Sequence, residues 1–286
     1  SFLNKIHDVE KIEQTYQVLE TFKCYFKEIL IIKRKQNYGC KNNIVSGVTE
    51  IFEKYQRIIV LEDDLVLSKY FLKFMNGALT EYSDSRNVWH ISGYSNIMTE
   101  HGKSEALFTR GMNCWGWATW KDRWQYLNLN SQDHVDSFSA ADIYRFNFNG
   151  AHDFYRQLTE NNNKMINTWA IYWYATIFRA DGLCLMPNKT LTLNHGNDQS
   201  GERSGLQYQD LSLCESPIKL MPTALEENLT YLEEQILEFK KQKNILKSVI
   251  KTIIYLFPSR LQKLIIGKLI KIRTKIIDNY YAFNTK

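Results

Sequence analysis

Apolar positions along the chain change their period several times, and each change marks an element. Residues 8–27 read as a surface helix. Glu28–Lys33 (EILIIK) is a short apolar run bounded by charge, which predicts a strand. Asn37-Tyr38-Gly39 predicts a turn, and Ile44, Val48, Ile51 and Phe52 recur at helical spacing over 41–55. Arg57–Leu61 is a β-branched run that stops at Glu62-Asp63-Asp64, and 68–82 returns to helical spacing. Strands this uniformly apolar, alternating with helices, predict an α/β domain with a mostly parallel sheet and flanking helices. Residues 86–220 mix short apolar runs, clustered Trp, and loops rich in Asn and Gly.

After Pro222 the period changes again. Leu225, Leu229, Leu232, Ile236, Phe239, Leu246, Ile250, Ile253 and Phe257 follow alternating steps of four and three, with Lys243 filling one gap. That predicts one long helix with a narrow apolar seam, broken by Pro258. A second helix is expected over roughly 260–280. The chain therefore divides into an α/β domain, 1–220, and a helical extension, 221–286.

Composition narrows the class. The chain has 286 residues, 44% hydrophobic and 23% charged, which excludes a disordered or collagen-like protein. No apolar run reaches the roughly 18 residues a membrane span needs. Five scattered Cys, with no close pair, fit neither a disulfide framework nor a zinc cluster and imply a reducing compartment. The net charge of +5 is unevenly spread. Phe239–Lys286 holds twelve basic residues and one acid, +11, so the other 238 residues carry −6. A basic amphipathic extension of this kind suits a hairpin packed on the α/β domain, a coiled coil between copies of the chain, or an anionic membrane surface, which the resemblance given below favours. No nucleic-acid motif accompanies the charge.

Glu62-Asp63-Asp64 is the strongest chemical signal. Three adjacent carboxylates at a strand end repel one another and call for a cation or hydrogen-bond donors. Ligand sites in open α/β sheets lie at strand carboxyl ends. A hard ion, Mn²⁺ or Mg²⁺, takes one or two carboxylates and completes its shell with phosphate oxygens and water. The alternative is a solvated strand end that caps the next helix. A Walker-B strand looks similar, but this sequence has no GxxxxGK[ST] loop, which argues against a P-loop nucleoside triphosphatase.

Three blocks in order resemble sugar-nucleotide-dependent GT-A glycosyltransferases, of the bacterial family-2-like kind and their relatives around N-acetylglucosaminyltransferase I. The first is Arg34…Asn37-Tyr38-Gly39…Asn43-Ile44…Gly47-Val48 followed by Ile58-Ile59-Val60-Leu61-Glu62-Asp63-Asp64-Leu65. The second is Cys114-Trp115-Gly116-Trp117-Ala118-Thr119-Trp120-Lys121-Asp122-Arg123-Trp124. The third is Thr168-Trp169-Ala170-Ile171, then Gly182-Leu183…Pro187 and Asn194…Gly196…Asp198…Ser200-Gly201. They cover about residues 28–205.

The resemblance implies a Rossmann-related GT-A sheet, whose first strand would precede the start of this chain, and transfer of a sugar from a nucleotide donor. Asp64 would coordinate the metal bridging the donor diphosphate, with Asp63 near ribose or sugar and Glu62 beside them. Asn37, Gly39 and Asn43 would form the nucleotide side at a helix start, as suits an anion. Arg203 stands where the family pattern has His and could hold a diphosphate oxygen. An inverting transfer needs a carboxylate base. The family's acid before the Trp169 element is Asn167 here, and an amide cannot take a proton. Asp122, Asp153 and Asp198 are therefore the candidate bases.

All seven Trp fall between residues 89 and 173. Indole faces either pack a core or stack on the apolar C–H faces of a sugar. Trp115, Gly116, Trp117 and Trp169 are the acceptor-side candidates, Gly116 allowing close backbone approach. Trp120 and Trp124 are expected to pack a helix on the sheet.

Overall fold

The computed structural model describes residues 6–97, 104–195 and 212–255, with side chains over 10–97, 104–195 and 212–243. The described chain is α/β: helices flank a mixed five-stranded sheet.

Helix α1 (Ile6–Thr21) and a short 3-10 turn (Lys23–Tyr25) come first, then α2 (Gly39–Phe52). The sheet is built from β1 (Arg57–Val60), β3 (Val88–Ser92), β4 (Ala106–Thr109), β5 (Trp117–Trp120) and β6 (Leu183–Pro187), ordered β1-β5-β3-β6-β4. β2 (Leu65–Leu67) and β7 (Thr192–Asn194) form a separate antiparallel pair. Helix α3 (Phe71–Glu81) follows β2, and α4 (Lys121–Trp124) follows β5. Helices α5 (Ser131–Ser137), α6 (Ala140–Phe146), α7 (Phe154–Asn162) and α8 (Ala170–Arg179) stand between α4 and β6. The last is α9 (Leu229–Tyr255).

Period-two alternation distributes the strands' apolar residues to both faces. Ile59, Ile91, Ala118, Trp120 and Leu185 turn toward α3 and pack on its Phe71, Met75, Ala78 and Leu79. Their neighbours Ile58, Val60, Trp117 and Cys184 turn to the other side, against Val48 and Phe52 of α2 and Trp173 and Ile177 of α8. Helix α8 is buried over most of its length because its far face meets Phe146 and Phe154 in a third cluster.

The structure corrects several expectations. The sheet is mixed rather than mostly parallel: β3–β6 is the parallel pairing, and β1–β5, β3–β5 and β4–β6 are antiparallel. The apolar runs on β4 and β5 look like those of parallel strands because both faces are covered, and burial rather than direction sets that pattern. Glu28–Lys33 is not a strand; no neighbour among the described residues gives it a ladder, and Leu30 is 66% exposed. The division at residue 220 is not a break. Ile218 and Met221 pack on the α3 cluster, Tyr82 donates to the Pro222 carbonyl, and Leu232, Ile236 and Phe239 of α9 join the third cluster. The first half of α9 is therefore part of the body, while Leu225 and Leu229 of the expected seam face outward. The helix expected at 260–280 lies outside the described residues. No helix among the described residues is long and apolar enough to cross a membrane.

Candidate functional site

β1, β3 and β6 run in one direction and β5 runs against them, so four segments meet at one end of the sheet. These are 61–65 after β1, 93–96 after β3, 113–116 before β5, and 191–195. Backbone bonds stitch them together: Gly93 N–H donates to the Gly116 carbonyl at 2.7 Å and Leu191 N–H to the Gly93 carbonyl at 2.8 Å. Gly116 has φ +71°, and a Cβ there would meet Thr192 Cγ2 at 2.9 Å and a Phe71 ring carbon at 3.0 Å. Its lack of a side chain thus serves the approach of Thr192 and Phe71, rather than the approach of an acceptor.

Asp64 sits where the β2–β7 pair begins. Its backbone carbonyl accepts from His195 N–H at 2.8 Å, and Asn194 Nδ2 donates to its Oδ2 at 3.0 Å. Oδ1 is buried and has no hydrogen-bond partner among the described residues. Glu62 is half-buried beside it. Burial first, and then the charges of Asp64 and Asp63, push its carboxyl above the usual carboxylate range. Cys114 adjoins the same charges, and burial followed by Glu62 pushes its thiol up to about 12, so it is no nucleophile.

These donors fit a hard divalent cation. An orphaned, buried carboxylate oxygen with two further acids beside it is a site short of positive charge. No cluster of three His, Cys, Asp or Glu converges on a point among the described residues. The chain would therefore supply few ligands and leave most of the shell to water and phosphate, the arrangement Mg²⁺ favours.

The donor-side candidates gather at the start of α2. Asn37 Oδ1 accepts from Gly39 N–H at 2.7 Å, and Gly39 has φ +69°, so this turn starts the helix. Asn43 is exposed at the start of the second turn. Cys40, on the first turn, is near enough to Cys114 to help raise its thiol pKa, which brings this end of α2 to the 113–116 loop. Lys41 Nζ lies 4.2 Å from the Tyr172 ring in the first turn of α8, so the two helix starts converge.

Trp115 is partly exposed; Tyr94 meets it edge-on at 4.5 Å, and its carbonyl accepts from Thr192 Oγ1 at 2.8 Å. Trp117 and Trp169 are corrections. Trp117 is 0% exposed, stacked between His90 and Trp169 at 5.5 and 5.3 Å, and Trp169 is buried with it. Trp117 is core because it alternates onto the α2–α8 face of β5, and Trp169 because it stacks on Trp117 from the start of α8. Trp120 and Trp124 are core as expected, though Trp120 packs on α3 and Trp124 on α2.

One candidate base, Asp122, is corrected as well. Asp122 follows β5, so it lies at the opposite end of the sheet from Asp64. It is paired there with Arg86 and with Arg123 at 2.7 Å. Asp153 precedes α7 on the exposed surface, next to His152, whose ring packs against Phe239 of α9. Asp198 and Arg203 lie outside the described residues. Asn167 is exposed just before α8. The Asn194 clamp on Asp64 had no reading of its own in the sequence, where the only signal was its place in the third block.

No protein-family model matches this chain, and no curated protein matches it.

Proposed function

We propose that the chain is a GT-A-type, inverting glycosyltransferase that moves a sugar from a nucleotide sugar, a UDP-sugar, to a glycan or lipid-linked saccharide in surface polysaccharide synthesis. The observation that carries this reading is Asp64: a carboxylate at the end of β1, held by Asn194, with a buried oxygen left free and two acids alongside. Asp64 would hold Mn²⁺ or Mg²⁺, and that ion would supply stabilisation of charge on the departing diphosphate. Glu62 and Asp63 would lie beside ribose and sugar. The start of α2, with Asn37, Gly39 and Asn43, would present backbone N–H groups to the nucleotide side. The partly exposed indole of Trp115 would offer an apolar face to the acceptor. The +11 extension over 239–286 would hold the protein on the anionic inner face of the cytoplasmic membrane.

A second reading is a binding subunit with nucleotide-sugar or glycan affinity and no turnover. It is favoured by Asn167 and by the placement of Asp122 at the opposite end of the sheet from Asp64. Donor hydrolysis and calorimetric UDP binding, each with Mn²⁺, separate the two for wild type and Asp64→Ala. Metal-dependent turnover lost in Asp64→Ala supports the enzyme. Metal-dependent UDP binding without turnover of any nucleotide sugar supports the binding subunit. Absence of both overturns the site.

A further inference from the structure

The loop after β3 is pinned at the Asp64 end of the sheet by its own side chains. Ser92 Oγ accepts from Tyr94 N–H at 3.1 Å, Ser95 N–H donates to Thr190 Oγ1 at 3.3 Å, and Ser95 Oγ donates to the Ile97 carbonyl at 2.6 Å. These bonds fix Tyr94, whose ring meets the partly exposed Trp115 edge-on at 4.5 Å. Trp115 is tied in turn, through its carbonyl, to Thr192, two residues before the Asn194 that holds Asp64.

Asn96 follows Tyr94 by two residues, so at most about 7 Å of backbone separates them. It is partly exposed, and its Oδ1 accepts from the Tyr231 hydroxyl of α9 at 3.2 Å. Tyr231 is 2% exposed and its ring packs with Ile97, Leu107 and Met186. Gln235, one turn further along α9 and also buried, holds the same hydroxyl through Oε1 at 3.0 Å. An amide whose oxygen is turned to a buried hydroxyl keeps its Nδ2 end, a two-proton donor, for the open side. A pinned amide donor near a partly exposed indole suits a saccharide. The sugar's apolar C–H face lies on the ring and its rim hydroxyls need polar partners.

We propose that Asn96 selects the acceptor, its Nδ2 donating to a rim oxygen of the saccharide that lies on Trp115, and that Tyr231 of α9 is the residue that positions it. The proposal rests on the acceptor-side reading of Trp115. It goes beyond that reading because neither Asn96 nor Tyr231 falls in the three sequence blocks of the resemblance. It also gives the first turns of α9 a task at the site, in addition to packing on the body.

The test is glycoside binding by the full chain, measured by nuclear magnetic resonance titration with the methyl β-glycosides of glucose, galactose and N-acetylglucosamine. Calorimetric UDP binding with Mn²⁺ is measured beside it. Wild type is expected to bind at least one of the three glycosides. Asn96→Ala leaves the Tyr231 hydroxyl its Gln235 partner, and is expected to weaken glycoside binding about threefold to tenfold, the worth of one hydrogen bond, with UDP binding unchanged. Tyr231→Phe is expected to weaken it by a smaller factor. The double variant is expected to bind no more weakly than Asn96→Ala alone, because Tyr231 acts through Asn96. No glycoside bound by wild type, wild-type binding in Asn96→Ala, or additive losses in the double variant overturns the proposal. UDP binding without glycoside binding removes this subsite and leaves the Asp64 site standing. The expected glycoside pattern in a chain that binds no UDP keeps Asn96 in a saccharide site and overturns the transferase reading instead.

Discussion

Asn194 donates its side-chain amide to the Asp64 carboxylate at 3.0 Å across 130 residues of sequence, and the backbone of the next residue, His195, bonds the Asp64 carbonyl. The antiparallel register of Leu65 against Asn194 fixes both contacts. The amide leaves one Asp64 oxygen free and orients the carboxylate plane. Groups that orient a ligand in this way typically carry about 10–100-fold in metal affinity. Asn194→Ala is expected to weaken Mn²⁺-dependent UDP binding by that factor, and Asp64→Asn to remove it, both read by calorimetry.

Trp115 and Trp117 are two residues apart and respond oppositely. Trp117 is fully enclosed by His90, Trp124 and Trp169, so Trp117→Ala is expected to cost about 3–5 kcal/mol of stability. Trp115 keeps part of its surface, so Trp115→Ala is expected to leave most of the stability and raise the acceptor KM. Urea unfolding and acceptor titration of the two variants check the contrast.

His90 is fully buried and neutral: its Nδ1 accepts from Trp173 Nε1 at 3.2 Å and its Nε2 donates to the Asn113 carbonyl at 2.9 Å. Burial pushes its pKa down to about 4, the bond to Asn113 opposing. A folded value below the unfolded 6.5 means that the unfolded chain takes up a proton the folded chain refuses. Stability from this group is complete above pH 6.5 and falls as pH drops toward about 4, by on the order of 3 kcal/mol in total. His134 and His152, also shifted down by burial, act in the same direction. Denaturation midpoints at pH 7 and pH 4.5 are expected to differ less in His90→Gln than in wild type.

Arg123 is 2% exposed and its guanidinium donates to the carbonyls of Tyr82, Ser83, Ser85 and Val88 as well as to Asp122. Arg123→Ala strands these acceptors and is expected to cost about 3–5 kcal/mol. Asp122→Asn, at the same end of the sheet, is expected to leave turnover unchanged, because the Asp64 site is at the other end. Parallel unfolding and activity assays read both.

Gly116 combines positive φ with Thr192 and Phe71 packed where a side chain would start. Gly116→Ala is expected to destabilise the fold by about 1–3 kcal/mol through backbone strain and overpacking together. The thermal midpoint measures the loss, and UDP binding normalised to folded protein is expected to change little.

Much of the helical pattern is legible in the order of the residues. Ile44, Val48 and Phe52 face the sheet because 3.6-residue spacing leaves them on one side of α2, and the acids after Val60 end a strand because adjacent carboxylates cannot stay in a core. The Glu28–Lys33 run misleads because a strand needs a neighbour, and its six residues do not encode whether one exists. Trp115 and Trp117 look alike because the sequence does not say where β5 begins: Trp117 is its first, buried residue, and Trp115 lies in the partly exposed segment before it.

Residue order alone is enough to mark the helices at 39–52, 71–81 and 229–255, where negative charge concentrates, and how the +5 net charge joins a −6 body to a +11 extension, whereas α4 to α8 are not read from it. These are local properties, fixed by side-chain period and by the repulsion of neighbours in the chain. That β5 runs against β1, that Asp64 finds Asn194, and that Asp122 lies at the far end of the sheet are settled in three dimensions. Strand direction and long-range hydrogen bonds depend on which surfaces meet once the core has formed, and that choice is made by burial across the whole fold.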